Sequence, residues 1–153
     1  MRDKNMVFGF LGKLGPNGHD LAVLVHAEGD PSNVEWDGFM TRIEKANLTK
    51  LRTLVVTSGG GPSSVQRKRV VDFLHGQRSP VAVVSSSPMV RGVVTALSWF
   101  NATMASFPES SLSQALDFLQ IDRGEHARVR AEVRVLRKQL GVAEGRDLIE
   151  HHP

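Results

Sequence analysis

The sequence predicts one α/β domain, built on a mixed, mainly parallel sheet with helices and an extra C-terminal helix. Its 153 residues suit a single hydrophobic core. Continuous apolar runs each lead through a loop rich in Gly, Ser or Pro into a helical pattern, and this alternation requires crossover connections and parallel strands. Two short apolar runs at the start are separated only by turn residues, which adds one antiparallel hairpin to the sheet.

The hairpin and the first helix open the predicted order of elements. Val7–Leu11 and Leu21–Val25 are the apolar runs, and Gly15-Pro16-Asn17-Gly18 is the turn signal between them. Asp30-Pro31-Ser32-Asn33 then supplies residues that cap a helix. The apolar residues after this cap recur at helical spacing: Val34, Trp36, Phe39, Met40 and Ile43.

Three further strands, each followed by a helix, complete the sheet. Leu51–Thr57 is a continuous segment rich in β-branched residues, as expected for a strand covered on both faces, Val81–Val84 is the next buried strand, and Thr103–Phe107 is the last strand. The helices that follow the strands are predicted at Val65–Leu74, Met89–Phe100 and Leu112–Leu119. The side chains expected to face inward on the first two of these helices are Val70, Val71, Leu74, Val90, Val93, Val94 and Leu97.

A final amphipathic helix follows Gly124 and runs to Leu140. Its apolar residues lie at spacings of four, three and four and form a narrow seam: Val129, Val133, Leu136 and Leu140. Residues 122–141 hold six basic and three acidic side chains, which leaves 13 of each sign elsewhere. Either the protein's own sheet covers the seam, or a second copy does, and we favour a homodimer through these four residues. The predicted organisation is a domain at 6–121, an appended helix at 122–141 and a flexible tail at 142–153.

The order of elements resembles the STAS fold, which occurs in anti-sigma factor antagonists and at the ends of sulfate transporters. The SpoIIAA-like branch is the closer likeness, through Trp36-Asp37-Gly38-Phe39, Val81-Ala82-Val83-Val84 and the ending Phe107…Ala115-Leu116-Asp117-Phe118-Leu119. The resemblance covers about residues 6 to 120. It implies a regulatory domain of bacterial type that binds a protein partner and has no catalytic activity.

Composition excludes several classes of function. The sequence has no cysteine, so disulfides, thiolate metal sites and thiol catalysis are excluded, and a reducing compartment is favoured. No apolar run approaches the roughly 18 residues of a membrane span, and the start is a poor secretory signal, so we expect a cytoplasmic protein. Trp36, Trp99, Met40, Met89 and Met104 fit the core. With a net charge of only +3, the sequence offers neither stacking rings nor a broad basic surface for nucleic acid.

The glycine loop that follows Leu51–Thr57 is the candidate functional segment, and a phosphate cradle is one interpretation of it. Gly59-Gly60-Gly61-Pro62-Ser63-Ser64 lacks the lysine of a P-loop and the last glycine of the dinucleotide fingerprint. Pro62 nevertheless suits the first position of a helix, which would leave the amides of Ser63, Ser64 and Val65 free for an anion near Arg67. Ser85-Ser86-Ser87-Pro88 repeats the arrangement beside Arg91. A small, phosphate-containing ligand is therefore an alternative to a protein partner, unless these residues only open their helices.

A nucleophile and a phosphorylation switch are the other interpretations. Gly-x-Ser-x-Gly is absent and the histidines are scattered, so we predict no catalytic, cofactor-binding or metal-binding residue, although an enzyme that uses the paired serine loops stays open. The STAS resemblance implies a phosphorylatable residue at this loop, for which Ser58, Ser63 and Ser64 are the candidates. The Asp-Ser-Ser-Gly motif of the antagonists is replaced here by Gly59-Gly60-Gly61-Pro62. The predicted partner-binding or anion-binding residues are Ser58, Gly59, Gly60, Gly61, Ser63, Ser64, Arg67, Ser86, Ser87 and Arg91.

Overall fold

A five-stranded sheet with the strand order β1-β2-β3-β4-β5 forms the centre of the computed structural model, which describes residues 4–98 and 103–141. The first two strands are antiparallel, and the other neighbours are parallel. This arrangement confirms the predicted mixed, mainly parallel α/β fold. The strands are β1 (Met6–Leu14), β2 (His19–His26), β3 (Leu51–Thr57), β4 (Val81–Ser85) and β5 (Met104–Phe107).

Five α-helices cover the two faces of the sheet within the described residues. They are α1 (Asn33–Ile43), α2 (Ser64–Leu74), α3 (Pro88–Ser98), α4 (Leu112–Phe118) and α5 (His126–Leu140). Short 3₁₀ turns at Glu109–Ser111 and Arg123–Glu125 precede α4 and α5. Because successive side chains of a strand point to opposite faces, α1, α2 and α3 lie on one face and α4 and α5 on the other. Trp99 and the tail at 142–153 lie outside the described residues, as does the side chain of Leu97.

Helix α5 is part of the main core. Its buried residues pack with Leu21, Val23 and Val25 of β2 and with Leu54 of β3 in one hydrophobic cluster. The exposed fractions of the seam residues are 0% for Val129, 2% for Val133, 2% for Leu136 and 9% for Leu140. The homodimer predicted through these four residues is therefore wrong, because the protein's own sheet already covers the seam.

The inward faces of α2 and α3 differ from the prediction. Val71 is 65% exposed and Val93 is 56% exposed, although both were expected to face the sheet. In α2 the buried stripe instead runs through Gln66, Val70 and Phe73, at spacings of four and three. The Gln66 side-chain amide donates a buried hydrogen bond to the Pro31 carbonyl at 2.9 Å. A polar residue therefore occupies a buried position of α2, which the spacing of apolar residues could not predict.

Trp36 and Met40 lie in the core as predicted, with exposed fractions of 4% and 0%. Met104 is half-buried. Met89 does not pack in the core and is 79% exposed, because it lies in the first turn of α3, beyond the end of β4. Two of the three methionines assigned to packing therefore contact the interior.

Candidate partner-binding edge

The carboxyl ends of the four parallel strands lie along one edge of the sheet. The loop after β3 and the loop after β4 are neighbours there, because Thr57 pairs with Ser85 at the ends of the two strands. The segment 27–31 after β2 lies on the other side of the glycine loop. In open α/β sheets this edge is where ligands usually bind. The fold therefore brings both predicted serine-containing loops together.

The glycine loop is tied to the end of β2. The Ser58 N–H donates to the His26 carbonyl at 3.1 Å, and the Gly60 N–H donates to the Ala27 carbonyl at 2.8 Å. A side chain at Gly60 would place its Cβ only 2.5 Å from the Ala27 carbonyl oxygen and closer still to the Gly29 carbonyl oxygen. Glycine at this position lets two backbone segments approach, so its role is close packing.

The Thr57 side chain stabilises the glycine loop by two hydrogen bonds to its backbone. Its hydroxyl accepts from the Gly59 N–H at 3.0 Å and donates to the Gly60 carbonyl at 2.5 Å. Gly59 has a φ of +141°, a conformation that side chains rarely adopt. The loop is thus held by its own backbone and by Thr57, and it presents a fixed shape at the edge.

The start of α2 differs from the predicted phosphate cradle. The helix begins at Ser64 with Ser63 as its N-cap, so the expectation that Pro62 opens the helix is wrong. A capping box satisfies the backbone, because the Gln66 N–H donates to the Ser63 hydroxyl at 3.2 Å and the Gln66 side chain accepts from the Ser63 N–H at 2.9 Å. Arg67 donates to the Pro62 carbonyl at 2.9 Å. Gln66 thereby takes one of the three amides proposed for an anion, and Arg67 turns back to its own loop.

The second loop is joined to the first by a buried serine. The Ser85 hydroxyl donates to the Thr57 carbonyl at 2.9 Å and accepts from the Ser87 N–H at 3.1 Å. The Ser87 hydroxyl accepts from the Val90 N–H at 3.3 Å and caps α3. Arg91 donates to the Ser85 carbonyl at 2.9 Å. Arg67 and Arg91 therefore each stabilise the loop that precedes their own helix.

The predicted serines divide by exposure. Ser58, Ser64 and Ser86 are exposed, whereas Ser63 and Ser87 are half-buried and their hydroxyls accept the capping bonds described above. Of the three candidates for phosphorylation, Ser58 and Ser64 are open to a modifying enzyme. Phosphorylation of Ser63 would remove the N-cap of α2.

A row of exposed apolar side chains at this edge was missed by sequence reasoning. Val34, Val65 and Met89 are each the second residue of α1, α2 and α3, and they are 82%, 77% and 79% exposed. We call these three residues the apolar row. Their exposure could have been predicted from the sequence, because all three directly follow the first residue of a helix, where a side chain projects beyond the sheet. The periodicity of the helices instead suggested that Val34 and Met89 pack inward.

The charge around the apolar row is positive on the side of α2 and α3. Residues 58–71 and 85–98 contain Arg67, Lys68, Arg69 and Arg91 and no acidic residue. Asp37 of α1 pairs with Arg69, and Asp72 pairs with Lys68 at 2.8 Å. Arg67 and Arg91 have no acidic partner among the described residues, and this part of the edge is therefore basic.

His26 lies beneath the glycine loop at the end of β2. Its side chain is 1% exposed, and neither ring nitrogen has a hydrogen-bond partner in the described part of the protein. Burial lowers its pKa from 6.5 to about 4, against the opposing effect of the Glu35 carboxylate. The ring is consequently neutral near pH 7.

The described side chains at this edge contain neither an activated nucleophile nor a metal-binding group. Among the described side chains of residues 4–95 and 103–141, no serine hydroxyl is hydrogen-bonded to a histidine ring or to a carboxylate, which is the contact that activates a nucleophile. The same residues contain no group of three or more His, Asp or Glu that could hold a metal ion. None of the described helices is long and apolar enough to cross a membrane.

Comparisons with protein-family models, with curated proteins and with solved structures found no match to this chain.

Proposed function

We propose that this protein is a regulatory protein-interaction domain of the STAS-like type that its element order resembles. It binds a protein partner through the apolar row and the glycine loop, and no catalytic step is assigned to it. The absence of cysteine fits a reducing compartment, and the proposal places the domain in the bacterial cytoplasm.

The observation that carries this proposal is the apolar row. Three large apolar side chains, all more than three-quarters exposed, occupy equivalent positions on three adjacent helices. Scattered exposed apolar residues are ordinary, but their alignment along one edge, beside loops that are already braced, is typical of an interaction surface. A rigid surface also loses little conformational entropy when a partner binds.

The basic residues near the row indicate the chemistry of the partner. Arg67 and Arg91 lie beside Val65 and Met89 in the first turns of α2 and α3, in segments without any acidic residue. A partner segment that combines apolar side chains with Asp or Glu would match this surface. Such complementarity would speed association and fix the orientation of the partner.

Phosphorylation offers a means of regulation at the same surface. A phosphate on Ser58 or Ser64 would add nearly two negative charges beside Arg67 and Arg91. It would cancel much of the local positive charge and repel an acidic partner. The exposure of both hydroxyls supports this extension of the proposal.

The test uses the intact chain and a pair of matched variants. Proteins retained from an extract of the source cell are identified by mass spectrometry, and the affinity of the main one is measured by calorimetry. Val65→Ser combined with Met89→Ser should weaken that affinity about 100-fold, because each buried apolar contact at an interface contributes roughly 1–2 kcal/mol. Val71→Ser is the control, since Val71 is exposed on α2 outside the row. Equal affinity of the double variant and the control would refute the proposed surface.

A further inference from the structure

Helix α5 carries the chain to the edge of the sheet that holds the apolar row. Just before α5, the Glu125 carboxylate accepts from the Gly15 N–H at 3.2 Å, in the turn that precedes β2. Near the other end of α5, Gln139 lines an open groove of about 610 Å³ together with Met6 and Val34. Met6 pairs with the last residue of β2. Helix α5 therefore ends at the carboxyl edge of the parallel strands, beside the first residue of the apolar row.

The chain leaves α5 at Gly141. This glycine has a φ of +80°, and its N–H donates to the Arg137 carbonyl at 3.0 Å, which is the left-handed cap that ends many helices. Gly141 is only two residues after Gln139. The residues that follow Gly141 consequently start next to the groove and next to Val34.

The following residues are numerous enough to reach the rest of the apolar row. A chain advances at most about 3.3 Å per residue, so Leu148 can lie up to about 23 Å from Gly141. The Trp36 indole N–H of α1 donates to the Gln66 carbonyl of α2 at 3.2 Å, so these helices are in contact. Helices packed side by side lie about 8–10 Å apart, which makes the row from α1 to α3 roughly 20 Å long.

The composition after α5 is the one that the apolar row and its basic surroundings favour. Residues 142–150 hold three acidic side chains against one arginine, together with three large apolar side chains. Two of these apolar side chains are adjacent and are flanked by acids in residues 146–150, which we call the docking segment. The docking segment consists of Arg146, Asp147, Leu148, Ile149 and Glu150.

The charge along the edge changes sign with distance from the groove. Close to the groove, the Asn5 side-chain amide donates to the Asp30 carbonyl at 2.8 Å, which joins the segment 27–31 to the start of β1. Glu28 and Asp30 in that segment are exposed. The starts of α2 and α3, which follow along the edge, carry Arg67 and Arg91. The edge is therefore acidic near the groove and basic further from it.

The docking segment carries its charges in the complementary order. Because the chain enters from the groove, Arg146 reaches the acidic part of the edge first, and Asp147 and Glu150 follow towards the basic part. The opposite direction is not open to a chain that leaves α5 beside Val34. Both the direction set by α5 and the order of the charges thus favour this chain's own segment as the occupant.

We propose that the docking segment binds the apolar row of its own chain and competes there with the protein partner. Leu148 and Ile149 cover Val65 and Met89. Attachment to α5 gives the segment an effective concentration of about 1 mM, so a segment that binds at about 100 μM as a free peptide occupies roughly nine-tenths of the rows. The inference rests on the proposed function, because it assigns a built-in competitor to the same surface.

Methyl NMR spectra of the intact chain test the contact directly. Leu148→Ser combined with Ile149→Ser should shift the methyl resonances of Val65 and Met89, because the apolar cover is removed. The Val71 methyl resonances should stay in place, since Val71 is exposed on α2 outside the row. Circular dichroism shows that the variant is folded.

The matched control changes the residues directly after the docking segment. His151→Ser combined with His152→Ser should leave the spectrum of the row unchanged. Identical row resonances in the wild type and in the Leu148→Ser, Ile149→Ser chain would overturn the proposal. A difference that grows with protein concentration would assign the segment to a second copy and would overturn the intramolecular contact.

A labelled peptide of residues 142–150 provides the second measurement, by fluorescence anisotropy. It should bind the Leu148→Ser, Ile149→Ser chain about tenfold more tightly than the wild type, whose own segment competes. Adding Val65→Ser and Met89→Ser to that chain should abolish the binding. Equal affinity for the wild type and the Leu148→Ser, Ile149→Ser chain, or binding that survives the changes in the row, would refute the docking.

Neither measurement uses a cellular partner, so the two proposals can fail separately. A docked segment in a protein that retains no partner from an extract would contradict only the proposed function. A partner whose binding requires Val65 and Met89, in a chain whose row is unaffected by Leu148→Ser and Ile149→Ser, would contradict only the docking of the segment.

Discussion

Replacing Val129 by alanine tests whether α5 belongs to the main core. Val129 is fully buried between α5 and the sheet, and the change removes two methyl groups from a site with 0% exposure. At about 0.8 kcal/mol for each buried methyl, plus a cavity term, the free energy of unfolding should fall by about 1.5–3 kcal/mol. For a protein of this size that corresponds to a decrease in melting temperature of roughly 3–12 °C.

Val71→Ala provides the matched control, because it makes the same chemical change in a helix at a residue that is 65% exposed. Alanine improves helix propensity equally at both positions, so the difference between the variants isolates burial. Thermal unfolding of both variants is followed by circular dichroism at one protein concentration, and the free energies come from urea titrations. If Val129→Ala were no less stable than Val71→Ala, α5 would not be held by the sheet and the packing argument would fail.

Three further predictions concern the core, the loop and pH. A chain that ends at Ile121 should lack cooperative unfolding in circular dichroism, since it loses buried contacts of about 6–12 kcal/mol, close to the stability of a whole domain; a cooperative transition in this shortened chain would contradict that estimate. Gly60→Ala should lower the melting temperature, because the added Cβ meets the Ala27 and Gly29 carbonyls, whereas Gly61→Ala, with open space around it, should have little effect. Because the pKa of His26 is lowered to about 4, the folded state binds fewer protons than the unfolded state between pH 4 and 6.5. The contribution of His26 to the free energy of unfolding should therefore be fully present above pH 6.5 and should fall by about 3 kcal/mol towards pH 4. His26→Leu should flatten this dependence in urea titrations, and an unchanged slope would assign it to other groups.

The sequence alone determined the class of the fold and the order of its elements. A short unbroken apolar run such as Val81–Val84 is typical of a strand covered on both faces, and the Gly, Ser and Pro residues that follow such runs are typical of a loop that leads into a helix. The positions of the two serine-containing loops followed directly, because parallel strands carry their following loops to the same edge. The STAS resemblance stays a prediction, as do the partner and the phosphorylated serine.

Only the tertiary structure decided which helix faces are buried and what covers α5. Periodicity gives the width of an apolar stripe but not its partner, so the seam from Val129 to Leu140 fitted a second copy as well as the sheet. The side chains at helix starts depended equally on three-dimensional position: Val34, Val65 and Met89 are apolar yet exposed, because they project beyond the strands that the rest of each helix covers. Burial is a property of which elements meet, and sequence spacing describes each element separately.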